Sequence, residues 1–213
     1  MIEYLTASQS KKADIIAIEE RGIDSLWLME NASRAVAEYI AANYEGKVLV
    51  ISSVGNNGAD GLCVARLLIN KGYEVETLVI GNLDKATWEF RHQLSLLNEL
   101  KAVIRYNETE IPDHDICVDG LFGIGLKRNV EGIYAEVIEK LNKYPSKKVA
   151  IDVPSGLNGD NGRIMSVGLK ADVTVTFGKI KTGMVNDQGP EYCGKIIVCD
   201  IGIPEDVYSE ACL

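Results

Sequence analysis

Three short apolar runs, each ending on an oxygen-bearing side chain beside a glycine turn, constrain this chain more than any other feature. Val48-Leu49-Val50-Ile51 leads into Gly55-Asn56-Asn57-Gly58-Ala59-Asp60-Gly61. The run over 115–118 ends on Asp119-Gly120, and Lys148-Val149-Ala150-Ile151 ends on Asp152-Val153-Pro154-Ser155-Gly156. Compact apolar runs rich in β-branched residues, without polar alternation, are characteristic of strands buried on both faces. Strands of that kind need helices above and below them. Residues 8–20, 25–43, 60–70, 85–100 and 132–143 are expected to supply these helices. In the second, Leu26, Met29, Ala32, Ser33, Val36 and Ile40 recur at helical spacing behind a cap at Asp24 or Ser25. Gly72 is placed to close the third. Further strands are expected over 74–80, 102–105, 172–177 and 195–199. The alternation predicts an α/β fold with a mostly parallel sheet and helices on both faces. With 213 residues and no repeat, linker or low-complexity stretch, a single domain over 1–213 is expected.

Composition excludes several function classes. A formal net charge of −9 argues against a sequence-independent nucleic-acid surface. An anionic ligand would have to be held locally, by backbone N–H groups at a helix start. The five cysteines are odd in number and none form a CxxC pair, so reduced thiols are expected, with Cys117 as core. Two histidines, His92 and His114, cannot build a multi-histidine zinc site. No apolar run approaches the roughly 20 residues of a membrane span. The stretch Met1–Lys12 is polar and lacks a signal-peptide core. No membrane partner is expected, and the cytoplasm is the expected location.

The loops carry the chemistry. The Gly55–Gly61 string has the placement of a phosphate-binding turn between strand and helix, with glycines that permit close backbone approach. It differs from G-x-G-x-x-G and lacks the Lys-Ser/Thr of a Walker loop. The same residues would also suit a plain turn with Asp60 as the helix cap. After Asp119, Gly123 and Gly125 form a second turn, followed by Lys127-Arg128, which either meet a phosphate or are solvated loop charges. Asp152 is a carboxylate at a strand end, suited to proton transfer if burial raises its pKa, or else a tie for the turn. Ser155 is outside any G-x-S-x-G elbow, so serine-hydrolase chemistry is excluded. Amide, hydroxyl and carboxylate oxygens without thiolate or imidazole suit a hard cation, and one carboxylate favours a monovalent ion over Mg²⁺.

Taken in order, these motifs resemble the NAD(P)H-hydrate epimerases of the YjeF N-terminal domain family. The resemblance covers nearly the whole chain. It runs through Tyr4-Leu-Thr-Ala-Ser-Gln9, Leu28-Met-Glu-Asn-Ala-Ser-Arg34, the Gly55–Gly61 loop, Val118-Asp-Gly-Leu-Phe-Gly-Ile-Gly125, Ile151-Asp-Val-Pro-Ser-Gly156, Ala171-Asp172 and Thr176-Phe177. It implies a three-layer α/β/α Rossmann-like sandwich, usually a homodimer. The implied activity interconverts the R and S forms of NADHX and NADPHX. Substrate-binding positions carried over are Asn56, Asn57, Gly58, Ala59, Asp60, Gly123, Ile124, Gly125, Leu126, Lys127, Arg128, Asn129 and Asp152. A potassium ion is implied at Asn57, Asp119 and Ser155. This chain departs from the family at Ala59, where a second glycine is usual, and at Gly120, where alanine is common. Many relatives are fused to a dehydratase, which is expected here as a separate protein. Asp152 is the expected acid/base. Two rivals stand beside this reading. One is a non-catalytic nucleotide-binding or scaffolding module of the same fold. The other is an ordinary NAD-dependent oxidoreductase, disfavoured by the missing G-x-G-x-x-G.

Overall fold

The computed structural model describes residues 3–213. Seven parallel strands form its centre: β2 (Val48–Ser53), β3 (Val75–Ile80), β4 (Val103–Tyr106), β5 (Ile116–Gly120), β6 (Lys147–Ile151), β7 (Val173–Phe177) and β9 (Lys195–Cys199). Their order across the sheet is β4-β3-β2-β5-β6-β7-β9. The chain winds outward from β2 through β3 to β4, then returns to place β5 on the other side of β2. That reversal makes a topological switch point between β2 and β5. In open α/β sheets the ligand crevice lies beyond the strand ends at such a point.

Strand register explains the buried runs. Val48, Val50, Ile116, Val118, Val149, Ile151, Val173 and Val175 pack on one face against α2 (Ser25–Asn43), α3 (Asn56–Asn70) and α4 (Trp88–Glu99). Leu49, Ile51, Leu78, Ile80, Cys117 and Ala150 pack on the other against α5 (Ile133–Lys143). Alternate residues of one strand point to opposite faces, so a strand covered on both sides is apolar throughout. The three-layer sandwich is therefore present, and every pair in the large sheet is parallel. Cys117 is fully buried, as its apolar surroundings imply.

Smaller elements frame one end of the sheet. A two-stranded parallel pair joins β1 (Tyr4–Leu5) to β8 (Ile180–Lys181), aligning Leu5 with Lys181. Thr6 begins α1 (Ala7–Ile15) with a reciprocal capping box to Gln9. Helix α1 runs into a π-helical turn over Ile16–Glu20, so the expected helix over 8–20 changes hand-hold at residue 16. Asp24 caps α2 by accepting from Trp27 N–H at 3.0 Å. Helix α6 (Gly189–Cys193) precedes β9, and α7 (Glu205–Ala211) packs Val207, Tyr208 and Ala211 against Ala13, Ile16 and Ala17. The last part of the sequence thus contributes a helix. The sequence shows no long apolar period there because α7 is only two turns long.

One boundary needs correction. Helix α3 starts at Asn56, with Gly55 as its N-cap, instead of at residue 60. Asp60 lies in its second turn and caps nothing. The early start is permitted by Gly58, whose added Cβ would lie 1.7 Å from the Ser53 carbonyl oxygen. Ala59 is fully buried within this helix, where its methyl group is accommodated. The Gly72 stop is present with φ +89°.

Candidate functional site

A cavity of about 710 Å³ opens beyond the strand ends at the switch point. Its walls come from α1, α2, the start of α3, the loop after β5, and the segment around α7. Gly55, Asn56 and Asn57 line it at the first turn of α3, and no side chain caps that turn. The free N–H groups and positive dipole end of α3 therefore face the space where an anion would sit. Gly123 to Arg128 line the adjoining wall, with Lys127 and Arg128 exposed. The anion-attracting features thus line one cavity.

The same cavity carries several acidic groups. Asp14, Asp60, Glu89 and Asp152 line the cavity, as does Lys181. Asp152 follows β6 in a left-handed backbone conformation with φ +64°, and it is only 9% exposed. Its Oδ1 accepts from Lys181 Nζ, from Thr176 Oγ1 at 3.1 Å and from Phe177 N–H at 3.4 Å. The sequence marks no counter-charge for Asp152. The fold supplies one in Lys181, 2% exposed at the end of β8. One of two lysines in Lys179-Ile180-Lys181 carries no spacing signal, and the β1–β8 pairing that fixes its backbone is not announced locally.

Asp60 stands beside this ion pair with a carboxyl held well above the usual range, by burial first and then by the negative charges of Asp152, Asp14 and Glu89. Asp14 is pushed up to about 6 by burial and by Asp152, with Lys181 opposing. An unfolded-chain aspartate titrates near about 3.9. Between those values the folded protein keeps a proton that the unfolded chain has released. Stability on this account falls as pH rises from about 4 through about 6, and Asp14→Asn removes that share of the slope. Urea midpoints measured across this range for both proteins check the prediction.

Asp119 and Ser155 meet beneath the cavity floor. Ser155 Oγ donates to Asp119 Oδ1 at 2.6 Å, Ser155 N–H donates to Oδ2 at 2.7 Å, and Leu121 N–H donates to Oδ1 at 3.2 Å. Phe122 N–H donates to Ser155 Oγ at 2.8 Å. Burial pushes the Asp119 carboxyl up to about 6 despite these donors. Asn57 packs against the same loop: a Cβ added at Gly123 would lie 2.9 Å from its Oδ1, and one at Gly120 would lie 3.1 Å from its backbone oxygen. The absence of side chains at 120 and 123 is what lets Asn57 approach. Asn57 Nδ2 is buried without a partner. Amide oxygen and nitrogen are interchangeable in assignment, so this orphaned end can present an oxygen. A buried carboxylate without a cation, an unsatisfied amide and a hydroxyl form an oxygen donor set that fits a monovalent cation. Among the described residues no group of three or more His, Cys, Asp or Glu could hold a metal, so a multi-carboxylate or thiolate centre is not built here.

Of the residues singled out from sequence, Asn56, Asn57, Asp60, Gly123, Ile124, Gly125, Leu126, Lys127, Arg128 and Asp152 line the cavity. Gly58 and Ala59 lie behind the wall as buried packing of α3, and Asn129 is exposed beyond it. Met29 lines the cavity, whereas Glu30 pairs with Arg66 and Asn31 donates to the Ile201 carbonyl at 3.0 Å. Lys181, Asp14 and Tyr208 also line the cavity, and no motif singled them out.

The family described as YjeF-related protein N-terminus matches residues 25–183. This chain belongs to that family. It is 44% identical over 200 residues to a protein named NAD(P)H-hydrate epimerase from Limosilactobacillus fermentum, covering 93% of this chain and 96% of that one. Similarity to a protein of the same name from Lentilactobacillus buchneri is 41% over 206 residues, covering 95% and 96%. It is also 36% identical to a bifunctional NAD(P)H-hydrate repair enzyme Nnr from Moorella thermoacetica, where the match takes in 94% of this chain and 41% of that protein. The crystal structure of yeast ynu0 superposes with a TM-score of 0.83 at 21% identity, covering all of this chain and 94% of that one, and so shares the fold. The matched segment of the YjeF-related family contains Asn57, Asp119, Asp152, Ser155 and Lys181. Asp14 and Tyr208 lie outside it.

Proposed function

We propose that this protein is an NAD(P)H-hydrate epimerase, an isomerase that interconverts the R and S forms of NADHX and NADPHX. The observation that carries this reading is a single cavity lined both by an uncapped helix start with Lys127 and Arg128 and by the Asp152 carboxylate. A dinucleotide carries both a pyrophosphate and a nicotinamide ring. The α3 N-terminus with Lys127 and Arg128 suits the pyrophosphate.

The hydrated ring carbon bears a hydroxyl next to the ring nitrogen. The nitrogen lone pair expels that hydroxyl as water once a carboxyl group has protonated it. The ring is then a planar cation. Water adds back to either face and returns its extra proton to a carboxylate. Asp152 is the acid/base assigned to this exchange, and in its charged form it stabilises the cation between the two steps. Oxygen donors Asn57, Asp119 and Ser155 would hold a potassium ion, whose charge would fix the loops after β2, β5 and β6. A separate NAD(P)HX dehydratase would consume one of the two epimers, and the cytoplasm is the compartment that suits both.

The deciding experiment supplies the purified protein with one epimer of NADHX and follows appearance of the other by chromatography. Interconversion well above the spontaneous rate supports the enzyme. Tight binding with no acceleration would favour the non-catalytic module. Potassium has its own readout. Replacing sodium with potassium should raise the melting temperature of the wild type, as binding to the folded state requires. Asp119→Asn should abolish that response in differential scanning fluorimetry.

A further inference from the structure

This inference rests on the epimerase reading and concerns a residue within the same site. We propose that Lys181 is a positioning residue for the epimerisation: with Thr176 it occupies Oδ1 of Asp152 and leaves Oδ2 as the oxygen that meets the substrate.

The hydrogen bonds carry the argument. Lys181 Nζ donates to Asp152 Oδ1, to Thr176 Oγ1 at 3.0 Å and to the Phe177 carbonyl at 3.0 Å. An ammonium has three protons, so all three are used within the protein. Lys181 has none left for a substrate, and its action must pass through Asp152. Thr176 receives from Lys181 and donates to the same Oδ1, closing a ring of three side chains. Phe177 N–H is a fourth contact to that ring. Among the described residues, all the donors that reach the Asp152 side chain go to Oδ1, while Asp152 borders the cavity. One oxygen is locked and the other is available.

The lock is itself anchored. Lys181 is the last residue of β8, paired with Leu5 of β1, and Thr182 Oγ1 donates to the Leu5 carbonyl at 2.8 Å. The N-terminal strand thereby fixes the lysine's backbone, and Met184 packs below it with its sulfur 3.4 Å from Lys181 N. A flexible four-carbon side chain would otherwise lose its geometry to rotamer freedom.

Removing the ammonium also changes the charge balance. Asp152 shares its cavity with Lys11 and Asp14 from α1, Asp60 from α3, Glu89 from α4 and the Tyr208 phenol from α7. Lys181 is the cation within bonding reach of Asp152. Without it, three neighbouring carboxyls oppose a fourth negative charge, and ionisation of the site needs a higher pH.

The test uses the full-length protein and a single NADHX epimer, with wild-type turnover established first. Failure of the wild type to epimerise would remove the epimerase reading, whereas the outcomes below judge Lys181 alone. Lys181→Met keeps the side-chain volume without the charge. Its kcat should fall about 100-fold, the scale of losing a fixed orientation, with KM changed far less. The alkaline limb of its rate–pH profile, where Asp152 loses the proton the first step needs, should move to higher pH, and Lys181→Arg should return that limb towards wild type. Thr176→Val, which removes a single hydroxyl from the ring, should lower kcat about 10-fold and guards against a Lys181→Met protein that does not fold. Wild-type kcat and an unshifted pH profile in Lys181→Met would overturn the proposal. So would wild-type kcat in Thr176→Val if Lys181→Met is unfolded.

Discussion

Asp152→Asn is expected to lower kcat for epimer interconversion by about 10²–10⁴-fold, the range associated with loss of a positioned acid or base. The substitution suits the test because of backbone geometry. Asp152 sits at φ +64°, a conformation that asparagine tolerates and most other residues resist. Its amide oxygen can still accept from Thr176 and Lys181, so the turn after β6 keeps its shape. The lost element is the charge facing the ring cation and the ability to exchange a proton. A stability cost accompanies this, because the Lys181 ammonium stays buried without its counter-charge. Breaking a buried pair in this way costs about 3–5 kcal/mol, which a urea titration would register separately from turnover. Asp152→Ala would confuse the two effects by adding strain of about 1–3 kcal/mol at a positive φ. Rates must be taken after subtracting the spontaneous interconversion. A folded Asp152→Asn protein with near-normal turnover would remove Asp152 from the reaction.

The chain's layers were legible because burial on both faces leaves a plain mark. Val48 to Ile51 and Val149 to Ile151 read as central strands with no help from their neighbours. The Lys195–Cys199 strand has the bounds that its apolar run indicated. The start of α3 was missed because Asn56, Asn57 and Gly58 have low helix propensity, and propensity yields where packing against Ser53 and the loop after β5 favours the helical turn. Strands β1 and β8 have two residues each, too few to show a period of two. In the site, Asp119 and Ser155 could be placed together because each ends or follows a strand, and strand ends share one edge. Lys181 could not be found this way. Its contact with Asp152 spans 29 positions and depends on a β-pair that local sequence does not announce.

The cavity wall also depends on segments near both termini. Asp14 and Ile18 reach it from the N-terminal helical segment, and Ile201, Ile203 and Tyr208 reach it from the C-terminal one. Leu28 and Ala32 of α2 pack with both segments in one cluster. The stretches of wall at Asn56, Asn57 and Gly123–Arg128, by contrast, follow β2 and β5 directly. The motif-rich loops thus mark part of the cavity wall, and the rest is set by tertiary packing of segments distant in sequence.

Gly58→Ala is expected to destabilise the protein by at least about 3 kcal/mol, the upper range for forcing an extra methyl into a packed interior. A Cβ at this position would lie 1.7 Å from the Ser53 oxygen and 2.6 Å from its carbonyl carbon. Both are backbone atoms of β2, so no side-chain rotation relieves the clash. Helix α3 would have to lift from the strand end. That movement would carry Asn57 away from Gly120 and Gly123 and spoil the first-turn N–H groups at the same time. The urea midpoint and substrate affinity should therefore fall together. Gly55→Ala is the control, because its Cβ would meet only Ser53 Oγ, at 3.8 Å. Replacing an N-cap glycine with alanine should cost about 1 kcal/mol or less, leaving the helix seated. Equal stability losses in the two variants would mean that the close seat of α3 on β2 does not hold this turn in place.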